Sequence, residues 1–151
     1  MSTSYSVTNP GANGSCGAFH VSMRRNSQTD DLRSNLRLIS PMISPPADAL
    51  RWTISFWVRF ATRNEVSYLD LYANYAIAHR VEATSTNWTR VEFPYSAGDG
   101  DRVLQFVFSF VLGDAPANEV WIDKIAMDVI ATATTAGAPV LAAETLKPAV
   151  L

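Results

Sequence analysis

The sequence predicts an all-β protein: an antiparallel β-sandwich or jelly roll of about eight strands with an extended C-terminal arm. Three observations predict it. Apolar residues recur with period two, the period of a strand, in short runs. Turn signals separate those runs at roughly ten-residue intervals, as in sandwiches. No segment carries the apolar period of a long amphipathic helix. The expected division is an N-terminal extension over 1–16, a sandwich domain over 17–131, and an Ala/Thr/Pro-rich linker or arm over 132–151.

The elements follow in order. Residues 17–23, GAFHVSM, put Phe19, Val21 and Met23 on one face and Ala18, His20 and Ser22 on the other. The polar run 26–31 turns the chain into a second strand over 32–39, where Leu36 and Leu38 oppose Arg33, Asn35 and Arg37. Pro41, Pro45 and Pro46 then lack the amide proton that a ladder needs, so a crossing loop or an edge follows. The third strand, over 50–60, contains RWTISFWVRF. Its apolar face is Trp52, Ile54, Phe56, Val58 and Phe60; the other holds Arg51, Thr53, Ser55, Trp57 and Arg59. Residues 66–75 form the fourth strand, with Leu69 and Leu71 opposite Tyr68, Asp70, Tyr72 and Asn74. The segment from Ala76 to Asn87 has room for a short strand. Residues 88–95 form another, closed by SAGDGD. In the strand over 102–112, Leu104, Phe106, Phe108, Phe110 and Leu112 oppose Val103, Gln105, Val107, Ser109 and Val111. The last strand spans 120–130.

Composition narrows the function classes. A chain of 151 residues with 48% hydrophobic and 17% charged residues fits one globular domain. The net charge is −2 and the cations are spread along the chain, so no basic field attracts nucleic acid. No continuous apolar run is long enough to span a bilayer. Cys16 is the one cysteine, so no internal disulfide forms. The N-terminus lacks the basic and apolar regions of a secretory signal. The expected setting is therefore extracellular, as part of a larger secreted enzyme, or a virion.

Three strands thus offer a second face that mixes aromatics, amides, hydroxyls and charges. If those strands are sheet neighbours, Trp57, Arg59, Asp70, Tyr72, Asn74, Gln105 and Ser109 form one platform. Such surfaces suit sugars, whose apolar ring faces stack on aromatic rings and whose hydroxyls meet planar polar side chains. Trp57, Tyr72 and Tyr75 would stack; Arg59, Asp70, Asn74, Gln105 and Ser109 would bond hydroxyls. Exposed aromatics on the outer face of a sandwich are also ordinary without any ligand.

The strand order resembles a known family. LRLISPMIS, LRWTISFWVRF, TNWTRVEFPY, RVLQFVFSF and NEVWIDKIAM follow one another as in the jelly-roll carbohydrate-binding modules of the xylan- and glucan-binding type, among the galactose-binding-like sandwiches. The aromatic-hydrophobic-Ser-Phe-Trp alternation falls at Trp52 to Arg59, the Trp before the next strand at Trp88, and the hydrophobic-aromatic-Ile-Asp signature at Val120 to Asp123. The resemblance implies a non-catalytic module that binds a polysaccharide or cell-surface glycan. Members often open with a Gly-Phe-Glu-like strand that contributes to a structural calcium site; nothing before Gly17 matches it. The alternative is a virion structural protein, a capsid decoration or tail component. Its arm would extend over neighbouring copies or capsid and tail proteins, and its exposed aromatics would anchor interfaces.

Catalysis finds little support. His20 and His79 have no metal-ligand spacing. Cys16 and His20 lie four residues apart in GSCGAFH, which suits a small residue at a strand start better than a nucleophile and its base. No nucleophile elbow, phosphate loop or cysteine pair occurs. Asp99 and Asp101 supply too few oxygens for calcium, and AGDGDR reads first as a hairpin turn. Asp123 is expected to fix a turn or bulge. No cofactor or metal is expected.

Overall fold

The structure is a computed structural model that describes residues 1–27, 35–39, 49–96 and 105–132. Residues 40–48 of the SPMISPPADA stretch, the GDGD pair at Asp99 and Asp101, and the arm after Thr132 lie outside the described residues.

The described residues form nine strands in two antiparallel sheets. They are β1 (Ser2–Thr8), β2 (Ala18–Arg24), β3 (Asn35–Ile39), β4 (Ala49–Phe60), β5 (Tyr68–Ala73), β6 (Ala76–Glu82), β7 (Thr89–Ser96), β8 (Phe106–Val111) and β9 (Ala117–Thr132). The first sheet runs β1-β2-β9-β4-β7 and the second β3-β8-β5-β6. The sandwich expected from period-two alternation is thus the fold, with one strand more than anticipated. The addition is β1, in residues read as an N-terminal extension: it pairs with β2 from Ser2↔Arg24 to Thr8↔Ala18. Its Ser/Thr-rich sequence hides it, because both of its faces are largely exposed and no apolar stripe is needed.

The core lies between the sheets. Trp52, Ile54, Phe56, Val58 and Phe60 of β4 are all buried, as their shared face requires. Val21 and Met23 of β2 and Val120 and Ile122 of β9 complete this layer. From the second sheet come Leu69 and Leu71 of β5 and Phe106, Phe108 and Phe110 of β8. Phe56 meets Phe108 edge to face at 5.1 Å, the favoured geometry for two ring quadrupoles. Trp52, 1% exposed, stacks on Tyr95 of β7.

Two of the register slips between neighbouring strands decide which residues face outward around the candidate residues. In the β5–β6 hairpin the register slips between Leu71 and Tyr72, so Leu71 opposes His79 while Tyr72 opposes Ile77. In the β4–β9 ladder a slip lies between Ser55 and Trp57, beside Lys124 at φ 49°. One inserted residue exchanges inner and outer faces for everything beyond it.

Candidate binding faces

The structure divides the expected platform between opposite sides of the molecule. Trp57 and Arg59 stand on the outer face of the five-stranded sheet, because β4 pairs with β7 and β9. Asp70 and Tyr72 on β5 and Ser109 on β8 belong to the four-stranded sheet; Asn74, Tyr75 and Gln105 lie at one end of it. The condition for a single platform, that β4, β5 and β8 share one sheet, is therefore not met: β5 and β8 do, and β4 does not. Alternation tells which residues share a face of a strand; it does not say which sheet that strand joins.

On the four-stranded face the central feature is a clamp. Asp70 is buried, opposite Ser109 on one side and Arg80 of β6 on the other. Arg80 Nε donates to Asp70 Oδ1 at 2.6 Å and Nη2 donates to Oδ2 at 2.9 Å, a two-pronged charge-assisted pair. The guanidinium lies 3.9 Å from the centroid of the Tyr68 ring. Hydrogen bonding to Asp70 outweighs the opposing effect of burial and raises the Arg80 pKa above its already high value. Asp70 and Ser109 are 1% and 0% exposed, so neither presents an atom to a ligand. Ser109 Oγ lacks a hydrogen-bond partner among the described residues. What reaches solvent is Arg80, whose side chain is 45% exposed, together with half-buried Tyr68, Tyr72 and Gln105.

Asn74 and Tyr75 make the two-residue turn between β5 and β6. Their φ angles are 45° and 75°, the doubly positive pattern of a tight hairpin. Asn74 tolerates this conformation; Tyr75, with a bulky side chain, is strained in it. The Asn74 side chain does not stand free for a sugar: its Oδ1 accepts from Gln105 N–H, and Asn74 N–H donates to Gln105 C=O. It ties the hairpin tip to the start of β8. Tyr75 projects from that tip, 96% exposed.

The five-stranded face is built differently. Register places His20 of β2 beside Trp121 of β9, and Trp121 beside Arg59 of β4. His20 stacks flat on Trp121, 4.4 Å between centroids and 8° from parallel. Arg59 covers the other side of Trp121 at 4.3 Å and reaches Trp88 at 5.2 Å. His20 also meets Glu119 Oε2 at 2.7 Å and Ser6 Oγ at 3.2 Å. The histidine beside Cys16 in sequence is thus engaged elsewhere, and Cys16 is exposed.

Asp123 fixes a bulge and a loop, as its position in the last strand suggested. Its Oδ2 accepts from Ala12 N–H at 2.7 Å and from Ser15 Oγ, and Oδ1 accepts from Lys124 N–H at 2.7 Å. Burial pushes its pKa up, but these hydrogen bonds and the Lys124 charge prevail and hold it below the usual value. Gly11 permits the approach: a Cβ there would collide with Asp123 Oδ2 and Ser15 Oγ. The groups closing on this carboxylate are hydrogen-bond donors, not the oxygen acceptors that a calcium ion takes. No group of three or more His, Cys, Asp or Glu residues able to hold a metal occurs among the described residues.

Arg80 is the residue that sequence reasoning missed. A two-residue turn at Asn74-Tyr75 with regular pairing would set His79 opposite Asp70. The slip past Leu71 instead sends His79 inward, stacked on Phe93 at 4.5 Å, and brings Arg80 outward to Asp70. No residue type in the sequence announces that bulge.

No protein-family model matches the chain, and no curated protein matches it in sequence. Similarity appears in three dimensions. The CBM22-1 xylan-binding domain from Paenibacillus barcinonensis Xyn10C is 14% identical, over 88% of this chain and 83% of that one, with a TM-score of 0.52. TmCBM61, solved in complex with β-1,4-galactotriose, is 16% identical over 84% and 81%, also with a TM-score of 0.52. The enzymatically active domain of tailspike protein 4 from bacteriophage CBA120 is 10% identical, over 85% of this chain but 18% of that one, with a TM-score of 0.56. The chain has the jelly-roll fold of carbohydrate-binding modules.

Proposed function

We propose that this chain is a non-catalytic glycan-binding module whose site is the outer face of the four-stranded sheet. The carrying observation is Arg80, fixed by Asp70, laid on Tyr68 and still open to solvent, on the same sheet as Tyr72 and the projecting Tyr75. A guanidinium whose rotamer is already set loses little entropy when it meets sugar hydroxyls. Tyrosine rings offer apolar faces to the sugar with few torsions to freeze. Gln105, beside the hairpin tip, adds an amide. Asp70 acts through Arg80 and does not touch the ligand. Structural kinship with modules that bind xylan and a galactan oligosaccharide supports this ligand class.

Affinity electrophoresis through gels containing xylan, β-glucan or cellulose tests the reading. The protein is retarded by at least one glycan, and Tyr72→Ala and Arg80→Ala migrate freely while remaining folded. Free migration of the native protein on every glycan argues instead for the assembly role, as a virion component, and co-purification with particles then becomes the expected behaviour.

A further inference from the structure

The five-stranded face holds a second arrangement that the proposed glycan site does not use. Several of its charges are paired. Glu119 meets His20, Glu92 meets Arg90 at 2.5 Å, and Asp123 is held by loop donors. Arg59 differs. Among the described residues no carboxylate pairs with it, and its buried Nε has no hydrogen-bond partner. It is gripped between the rings of Trp121 and Trp88.

Trp57 is the next outward side chain on β4, about 7 Å away by strand rise. It is half-buried and stacks on no described ring. Trp121 cannot serve a ligand in this way, because His20 and Arg59 cover its two faces.

We propose that this face is a second binding site, for carboxylate-bearing sugars. Arg59 takes the carboxylate, and the adjoining ring packs on Trp57. A guanidinium matches a carboxylate with two parallel hydrogen bonds, and one held between indoles is both oriented and weakly hydrated. A neutral sugar offers it no counter-charge. The ligand class rests on the glycan reading above, but the site lies on the opposite sheet, so the two stand or fall separately.

The test is calorimetry on the full chain with trigalacturonate and with neutral galactotriose, in the native protein and in Tyr72→Ala. Tyr72→Ala removes the neutral-glycan face and isolates this one. In that background trigalacturonate binds at least about tenfold more tightly than galactotriose. Adding Arg59→Gln abolishes the difference, Trp57→Ala weakens acid binding about tenfold, and raised salt weakens it further. Arg59→Lys keeps the charge without the fork and gives an intermediate affinity; melting curves establish that each variant folds. If Arg59→Gln does not fold, Arg59→Lys and Trp57→Ala carry the test. Equal affinity for the two trimers, no acid binding, or acid binding unchanged by the Arg59 and Trp57 variants overturns the proposal. If neutral binding survives Tyr72→Ala while acid binding behaves as stated, it is the four-stranded site that fails.

Discussion

Asp70 and Arg80 face each other across the β5–β6 ladder with hydrogen bonds of 2.6 and 2.9 Å, one partner 2% and the other 45% exposed by side chain. The asymmetry makes the pair a device for holding the arginine at the surface. Its removal from either side has different consequences.

Arg80→Ala leaves the buried Asp70 carboxylate without its counter-charge. Breaking a fully buried pair costs about 3–5 kcal/mol. The arginine end is half solvated, so a loss of about 2–3 kcal/mol is expected, together with loss of glycan retention. Asp70→Asn keeps the shape but frees Arg80; retention falls while stability drops less. Urea titration beside affinity electrophoresis separates the two effects.

Tyr75→Gly is expected to raise stability and lower binding. A glycine takes the positive φ without strain, a gain of about 1 kcal/mol. It also removes the exposed ring at the hairpin tip. A higher urea midpoint with undiminished glycan retention would remove Tyr75 from the site.

The Asp123 clamp makes stability depend on pH. Its folded pKa is depressed, so its contribution is complete above the unfolded value of 3.8 and is lost as pH falls through the lower folded value. Asp123→Ala should lower the melting temperature at pH 7, by a loss of about 2 kcal/mol for three stranded donors. The gap between native and variant should narrow below pH 4. Because the carboxylate is met by donors, calcium and EDTA are both expected to leave the native melting curve unmoved.

Trp52 and Trp57 should respond differently to truncation. Trp52→Ala opens a cavity between the sheets and costs about 3–5 kcal/mol. Trp57→Ala removes a half-buried ring from an outer face and costs less than half of that. Denaturant midpoints of the two variants check this directly.

How far the sequence carried these readings follows from what alternation encodes. The inward set of β4, the Leu69–Leu71 pair and the three phenylalanines of β8 were legible, because burial demands an unbroken apolar stripe. The outward residues were legible as a class, and Tyr72, Tyr75, Gln105, Trp57 and Arg59 do lie outside the core. Their grouping was not legible, because pairing β4 with β9 and β5 with β8 is a decision between distant segments. Ser109 and Asp70 show the opposite limit: both are polar and on an outward face, yet both are enclosed. Arg80 depended on the slip past Leu71, and β1 on pairing without an apolar stripe.

The most direct test of the glycan-binding face is a backbone amide NMR titration with neutral xylan, β-glucan and galactan oligosaccharides. Shifts are expected to concentrate at Tyr68, Tyr72, Tyr75, Arg80 and Gln105, with Trp57 and Trp121 unmoved. No shifts with any of these oligosaccharides, or shifts confined to the β4–β9 face, would contradict this expectation.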